Sequence, residues 1–263
     1  MPSLSPRFAS PDAVVAALRS AGCVFAEDEA RLILAAARTP DELADMVDRR
    51  VTGHPLELVV GWAEFRGLRI TVAPGVFVPR RRTEFLVDQA LALAPGARVV
   101  VDLCCGSGAV GAALAAALGP VELHAADIDP AAVDCARRNT AAAGGRVHTG
   151  DLFEALPAGL RGRIDILAAN VPYVPTEEVA LLPTEARDHE PLVALDGGTD
   201  GLDVLRRVAA GAPRWLAPGG CLLVETSERQ AAAALDAFTR SGLTSRLAVS
   251  EELYAHVVTG IRT

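Results

Sequence analysis

The sequence predicts an α/β fold: a doubly wound parallel sheet, preceded by a small helical region and a hairpin linker. Three observations carry that expectation. From residue 98 onward, short apolar runs alternate with helical periods, the pattern of strand–helix–strand units. One run, RVVVDL at 98–103, is apolar at most positions and reads as a strand covered on both faces, as parallel strands are. The first fifty residues instead carry helix-start signals.

In chain order, Asp12 is placed to cap AVVAALRSAG, Glu27-Asp28-Glu29 opens ARLILAAARTP, and Asp41 opens ELADMVDRRV. LELVVGWAEF and LRITVAP then read as two strands joined at Arg66-Gly67. A helix from Thr83 (EFLVDQALALA) leads to Pro95-Gly96. After RVVVDL come a helix (GSGAVGAALAAALG), a strand (VELHAADI) and a helix (PAAVDCARRNTAAAG). RVHTGDL and RIDILAANVPY are strands, GLDVLRRVAAGAPRWL a helix, GGCLLVETS a strand and ERQAAAALDAFTRSG a helix. LTSRLAVSEEL and AHVVTGIRT close the chain as two strands that add an antiparallel edge.

Composition removes several classes. The 263 residues are 51% hydrophobic and 22% charged, with mean hydropathy +0.28, which rules out disorder, coiled coil and collagen and leaves ample material for a core. No stretch approaches the roughly 20 uninterrupted apolar residues of a membrane span. The opening MPSLSPRFASPD has no signal-peptide run, so the expectation is a cytoplasmic protein with no membrane partner. Net charge is -8, and residues 86–263 carry 14 Arg against 22 acids, whereas residues 1–85 balance 11 against 11. Stable nucleic-acid binding is therefore not expected, because neutralising phosphates supplies most of that affinity. Cys23, Cys104, Cys105, Cys135 and Cys221 are odd in number and lack metal-ligand spacing, so they read as free thiols with no metal site.

The chemistry begins at VVVDLCCGSGAVG. Gly106, Gly108 and Gly111 form G-x-G-x-x-G between a strand and a helix, and Asp127 ends the next strand. That arrangement marks an adenosine-containing ligand: glycines admit close backbone approach, and the carboxylate takes ribose hydroxyls. Two details favour S-adenosylmethionine over a dinucleotide. Asp102 sits at the tip of the first strand, where a sulfonium is welcome and a pyrophosphate is not. Downstream, Asn170-Val171-Pro172-Tyr173 follows a strand and faces the same crevice, offering oxygen acceptors for an NH2 group and an aromatic ring to cover it.

The stretches GHPLELVVGWAEFRGLRITVAPGVFVPRRRTE, VVVDLCCGSGAVG, AADIDPAAVDCARRN, GDLFEAL, NVPYVP, EPLVALDGGTDGL and LAPGGCLLVETSERQ together resemble the HemK/PrmC-like family of release-factor (protein) glutamine-N5 methyltransferases. The hairpin block and ALDGGTDGL are the more specific. The resemblance implies a helical substrate-recognition domain (1–53), a β-hairpin linker (54–82) and a seven-stranded Rossmann-like class I methyltransferase domain (83–263). It implies S-adenosyl-L-methionine as cofactor, with Cys104, Cys105, Gly106, Ser107 and Gly108 around its methionine end and Asp127 on its ribose. Asp102, Asp151, Leu152 and Asn170 complete the cofactor set, Leu152 against the adenine. Asn170, Val171, Pro172 and Tyr173 are the implied catalytic residues, holding the amide of a Gly-Gly-Gln loop in a peptide-chain release factor.

The chain departs from that pattern at three places. Cys104 replaces a glycine, Val171 replaces the first proline of N-P-P-Y, and P-R-P-E/D-T-E appears as Pro79-Arg80-Arg81-Arg82-Thr83-Glu84. The acceptor thus has alternatives: a small amine, amide or guanidine metabolite, or a nucleic-acid base; a non-catalytic cofactor-binding module is a further reading. Arg80 to Arg82 read either as orienting a carboxylate of cofactor or substrate or as a plain charged loop. His54, His124, His148, His189 and His256 are expected at the surface or hairpin, and Trp62 and Trp215 in the core. Glu177, Glu178, Glu185, Asp188 and Glu190 are expected on a solvated loop, the other reading being attraction of a cationic substrate to the cleft rim.

Overall fold

The computed structural model describes residue 8 and residues 10–263. Residues 1–7 and 9, which belong to the expected 1–53 region and to the opening read for a leader, lie outside the described residues. Three helices come first: α1 (Pro11–Ser20), α2 (Ala26–Ala36) and α3 (Pro40–Val51). Val14, Leu18, Ile33, Leu43 and Val47 pack as an apolar cluster of their own. The caps of α1 and α3 precede the acids that predicted them. Ser10 Oγ accepts from the Ala13 amide at 3.3 Å and Thr39 Oγ1 from the Glu42 amide at 3.1 Å. Pro11 and Pro40 hold the first helical positions, where a missing N–H costs nothing. Asp12 and Asp41 sit in the first turns, favoured by the helix dipole but not capping.

LELVV is not a strand. Leu56–Val60 forms a one-turn helix, α4, closed by Gly61 at φ +81°. Its five apolar-rich residues satisfy either period, and Pro55 stands at the N-cap, where its missing N–H costs the helix nothing. β1 (Trp62–Phe65) and β2 (Leu68–Thr71) pair antiparallel around Arg66-Gly67, both at positive φ as a type I′ turn requires. The hairpin is tied to α5 (Glu84–Leu93), whose Glu84 accepts from the Arg66 amide at 3.1 Å.

The remaining chain forms a seven-stranded sheet of β3 (Val99–Leu103), β4 (Glu122–Asp127), β5 (Arg146–Thr149), β6 (Ile164–Ala169), β7 (Leu216–Thr226), β8 (Leu243–Ser250) and β9 (Ala255–Arg262). The spatial order is β5-β4-β3-β6-β7-β9-β8, parallel from β5 through β7, with β9 running against both its neighbours. α5 and four further helices, α6 (Ala109–Leu118), α7 (Pro130–Thr140), α9 (Asp203–Gly211) and α10 (Ala231–Arg240), cover it, while the short α8 (Thr184–His189) buries no residue. β3 shows the two-residue period at work. Val99, Val101 and Leu103 join the core that holds α9 and α10, whereas Val100 joins the core that holds α5 and α6. Order reverses between β3 and β6, and their carboxyl ends open the crevice where ligands of such sheets bind.

Several surface expectations need correction. His124 is buried in β4 and stacks on His148 with ring centroids 5.2 Å apart, its Nδ1 2.9 Å from His148 Nε2. Burial lowers both imidazole pKa values from the ordinary histidine value. Trp215 is buried against Phe153, as expected, but Trp62 is half-buried with the Arg69 guanidinium 4.3 Å over its ring.

The capping assignment has a direct check. Thr39→Ala is expected to cost about 1 kcal/mol in urea unfolding, and Asp41→Ala only a few tenths. Equal losses would return the cap to Asp41.

Candidate functional site

At the carboxyl ends of β3, β4 and β6 lies a cavity of about 510 Å³, within the range of small-molecule sites. Its wall includes Asp102, Cys104, Cys105, Gly106, Ser107, Asp127, Asp151, Leu152 and Asn170 to Tyr173, so these separated stretches converge. Gly108 is not in that wall. It opens α6 at φ +77°, and a Cβ there would stand 3.0 Å from Ala136 of α7; its role is close packing of the two helices. Gly111 does the same toward β3, since a Cβ would come within 3.1 Å of Asp102 Oδ2.

The glycine loop is held by two acids, one of them buried. Asp102 is 1% exposed, and its Oδ2 accepts from the Gly111 amide at 2.8 Å, facing the α6 side of the sheet. Burial pushes its carboxyl up to about 8. Asp127 accepts from the Gly106 amide at 2.8 Å and from the Asp129 amide at 3.0 Å, coupling the loop to the start of α7; burial raises its pKa too. Cys104 stands at φ +54°, a left-handed conformation that costs a non-glycine residue roughly 1–2 kcal/mol. Asn139 was not singled out in the sequence. Its Nδ2 donates to the Ser107 carbonyl at 2.8 Å and to the Thr71 carbonyl at 2.8 Å, joining α7, the loop and the hairpin.

On the opposite wall, Asn170 follows β6 directly. Its Oδ1 is buried and has no hydrogen-bond partner among the described residues, a costly state for an amide oxygen unless a donor arrives. Val171 buries its side chain in the core that includes Leu202 and Val224. The backbone beyond is clamped by residues 195–201. Val174 donates to the Leu195 carbonyl at 2.9 Å, and Gly197 donates to the Val174 carbonyl at 2.8 Å. Gln230 Nε2 donates to the Tyr173 carbonyl at 2.8 Å and to the Asp200 carbonyl at 2.9 Å. A Cβ on Gly197 would lie 2.6 Å from the Pro172 carbonyl oxygen, and one on Gly201 only 2.2 Å from that of Tyr173. Gly197 and Gly201 of GGTDG are there because backbone meets backbone.

Charged groups complete the rim. Arg82 Nε donates to Glu225 Oε1 at 2.9 Å and its Nη2 to the Tyr173 hydroxyl, which burial pushes up to about 12. Arg80 donates to Glu190 at 2.6 Å, and Arg207 pairs with Asp151 at 2.6 Å. Of the acidic stretch, Glu177, Glu185 and Asp188 are exposed as expected, but not every member is free or solvated. Glu190 is buried, Glu185 pairs with Arg50 at 2.7 Å and Glu178 with Arg229 at 2.7 Å. Arginines from three distant parts of the chain hold that stretch over the cavity. Glu225 and Gln230 were also missed; an acid inside the apolar run LLVET was the one available signal.

The Methyltransferase small domain model matches residues 67–183. A release factor glutamine methyltransferase of Geobacter sulfurreducens is 42% identical over 208 residues, covering 77% of this chain and 72% of its own. One from Mycolicibacterium smegmatis is 39% identical over 221 residues, covering 82% and 78%. A 4-amino-L-phenylalanine/4-methylamino-L-phenylalanine methyltransferase of Streptomyces pristinaespiralis is 36% identical over 214 residues, covering 79% and 73%. Among solved structures, a methyltransferase from Pyrococcus furiosus superposes with a TM-score of 0.54 at 16% identity, over 75% of this chain and 90% of its own. That likeness speaks for the fold: a class I methyltransferase sheet.

Asp102 makes stability depend on pH. Its folded carboxyl titrates near 8 and its unfolded one near the ordinary 3.8, so the stabilisation is complete below about 4 and is lost as pH rises through 8. Between pH 5 and 8, wild type should lose thermal stability relative to Asp102→Asn, which carries no charge at any pH. Parallel melting curves across that range would contradict the assignment.

Proposed function

Because the chain belongs to the release factor glutamine methyltransferase family, we propose that it transfers a methyl group from S-adenosyl-L-methionine to the side-chain nitrogen of a protein glutamine, that of a peptide-chain release factor. One observation carries the acceptor site: the buried, unpartnered Oδ1 of Asn170 on the cavity wall, which accepts a hydrogen bond and offers none. The cavity also fits the cofactor. It brings together an apolar surface at Leu152, acceptor oxygens at Asp127, and a loop whose small residues let a ligand lie against the backbone. Cys104, Cys105, Gly106 and Ser107 would hold the methionine end, Asp127 the ribose, and Asp151 with Leu152 the adenine side.

Bound S-adenosylmethionine supplies a methyl group already activated by a sulfonium. The protein's task is the nucleophile, since an amide nitrogen has its lone pair drawn into the carbonyl. Asn170 Oδ1 and the Val171 main-chain carbonyl accept the two N–H bonds, which places the nitrogen and concentrates electron density on it. Tyr173, fixed by Arg82 and Glu225, covers the amide plane. Residues 1–53 are the part assigned to substrate recognition, with 54–82 linking them to the catalytic domain at 83–263. The reaction belongs in the cytoplasm, and net charge -8 speaks against a stable nucleic-acid complex. No helix among the described residues is long and apolar enough to cross a membrane.

A small aromatic amine is the second acceptor class, favoured by one observation: similarity to the 4-amino-L-phenylalanine methyltransferase in a chain that lacks the first proline of the N-P-P-Y turn.

The test is incubation with labelled S-adenosylmethionine and either release factor or 4-amino-L-phenylalanine. Label on the factor's glutamine is the expected result; label on the amino acid alone selects the second class. Asn170→Ala should lower kcat on the order of 10²-fold while changing S-adenosylhomocysteine affinity only slightly. A wild-type single-turnover rate in that variant would remove Asn170 from the acceptor site.

A further inference from the structure

The cavity rim carries two arginine–carboxylate pairs with the same orientation. The Arg82 side chain is 43% exposed, whereas its partner Glu225 is 2% exposed. Arg80 is 33% exposed over a Glu190 that is 1% exposed. In each pair the carboxylate is the more buried partner; both arginines line the cavity, as does Glu190, so it is at Arg82, whose partner Glu225 stands behind the wall, that an entering ligand meets the cation first.

The two pairs serve different ends of the cavity. The Arg80 guanidinium lies 5.0 Å over the Phe77 ring, and Phe77 Cβ is 3.9 Å from where a Cβ on Gly106 would stand, which is the glycine-loop end. Arg82 lies 6.0 Å over the Tyr173 ring, beside the Asn170–Tyr173 turn. Its Nε and Nη2 are spent on Glu225 and Tyr173, and Nη1 makes no hydrogen bond to any described residue. A fixed guanidinium with a spare donor edge recognises a carboxylate and repels an ammonium.

We infer that Arg82 is a specificity-determining residue: it draws acceptors that carry a carboxylate close to the methylated nitrogen and turns cationic acceptors away. The inference rests on the glutamine-methylation reading and narrows its substrate class. It also separates this chain's two central arginines by task, with Arg82 serving the acceptor rather than the cofactor.

Three glutamine peptides differing only in the residue beside the acceptor, Glu, Ala or Lys, test it. Wild type should show kcat/KM in the order Glu, Ala, Lys, spanning on the order of tenfold at low salt and narrowing as ionic strength rises. Arg82→Gln should compress the span to about twofold, and Arg82→Lys should keep the order. Calorimetry on both variants should find S-adenosylhomocysteine affinity close to wild type. Equal kcat/KM for all three peptides in wild type overturns the inference alone; turnover of none overturns the glutamine reading and the inference with it. Loss of the order in Arg82→Lys shows that shape and not charge decides, and overturns it. A tenfold loss of S-adenosylhomocysteine affinity with the order intact assigns Arg82 to the cofactor's carboxylate, and overturns it too. If Arg82→Gln does not fold with Glu225 unpaired, Arg82→Lys and the wild-type salt dependence decide.

Discussion

The acceptor side depends on a contact between two stretches of bare backbone. Gly197 and Gly201 lie so close to the Pro172 and Tyr173 carbonyls that a methyl group at either position would collide with carbonyl oxygen. That proximity lets Val174, Leu195 and Gly197 exchange hydrogen bonds and lets Gln230 bridge Tyr173 to Asp200. The Gly197 carbonyl in turn accepts from the Asp203 amide at 2.9 Å, so the clamp continues into the start of α9. A turn that presents an unsatisfied Asn170 oxygen needs such support, because a free loop would turn the amide toward water.

The cofactor side is organised differently. There, side chains reach to backbone: Asp102 to Gly111, Asp127 to Gly106 and Asp129, Asn139 to Ser107 and Thr71. These bonds fix a loop that contains a strained non-glycine residue at Cys104. Between the two sides, Arg80 and Arg82 hang from buried carboxylates, so the cationic rim is anchored in the core rather than carried on mobile surface side chains. Binding geometry on one wall and charge on the other are thus set by separate parts of the chain.

Most of the sheet was legible in the sequence because its strands obey simple periods. RVVVDL and LLVET are apolar runs of strand length, and the closing strand pair followed from alternation and turn spacing. LELVV was not legible, since five apolar-rich residues suit a helical turn as well as a strand. The cofactor loop and Asn170 to Tyr173 were visible as local patterns. Glu190, Glu225, Gln230 and Asn139 were not, because their importance comes from partners 30 to 143 residues away in the chain. The glycines at 197 and 201 were recognisable as part of a family motif, but their reason was not: only the fold shows which carbonyls they approach.

The glycine clamp positions the acceptor turn. Gly197→Ala tests it directly, because the new Cβ would press on the Pro172 carbonyl from 2.6 Å. Gly159→Ala, with nothing within 4 Å of its Cβ, is the control. Single-turnover methyl transfer, measured alongside S-adenosylhomocysteine binding, should fall on the order of 10²-fold in Gly197→Ala with affinity largely kept, and should not change in the control. A wild-type transfer rate in Gly197→Ala would contradict the claim.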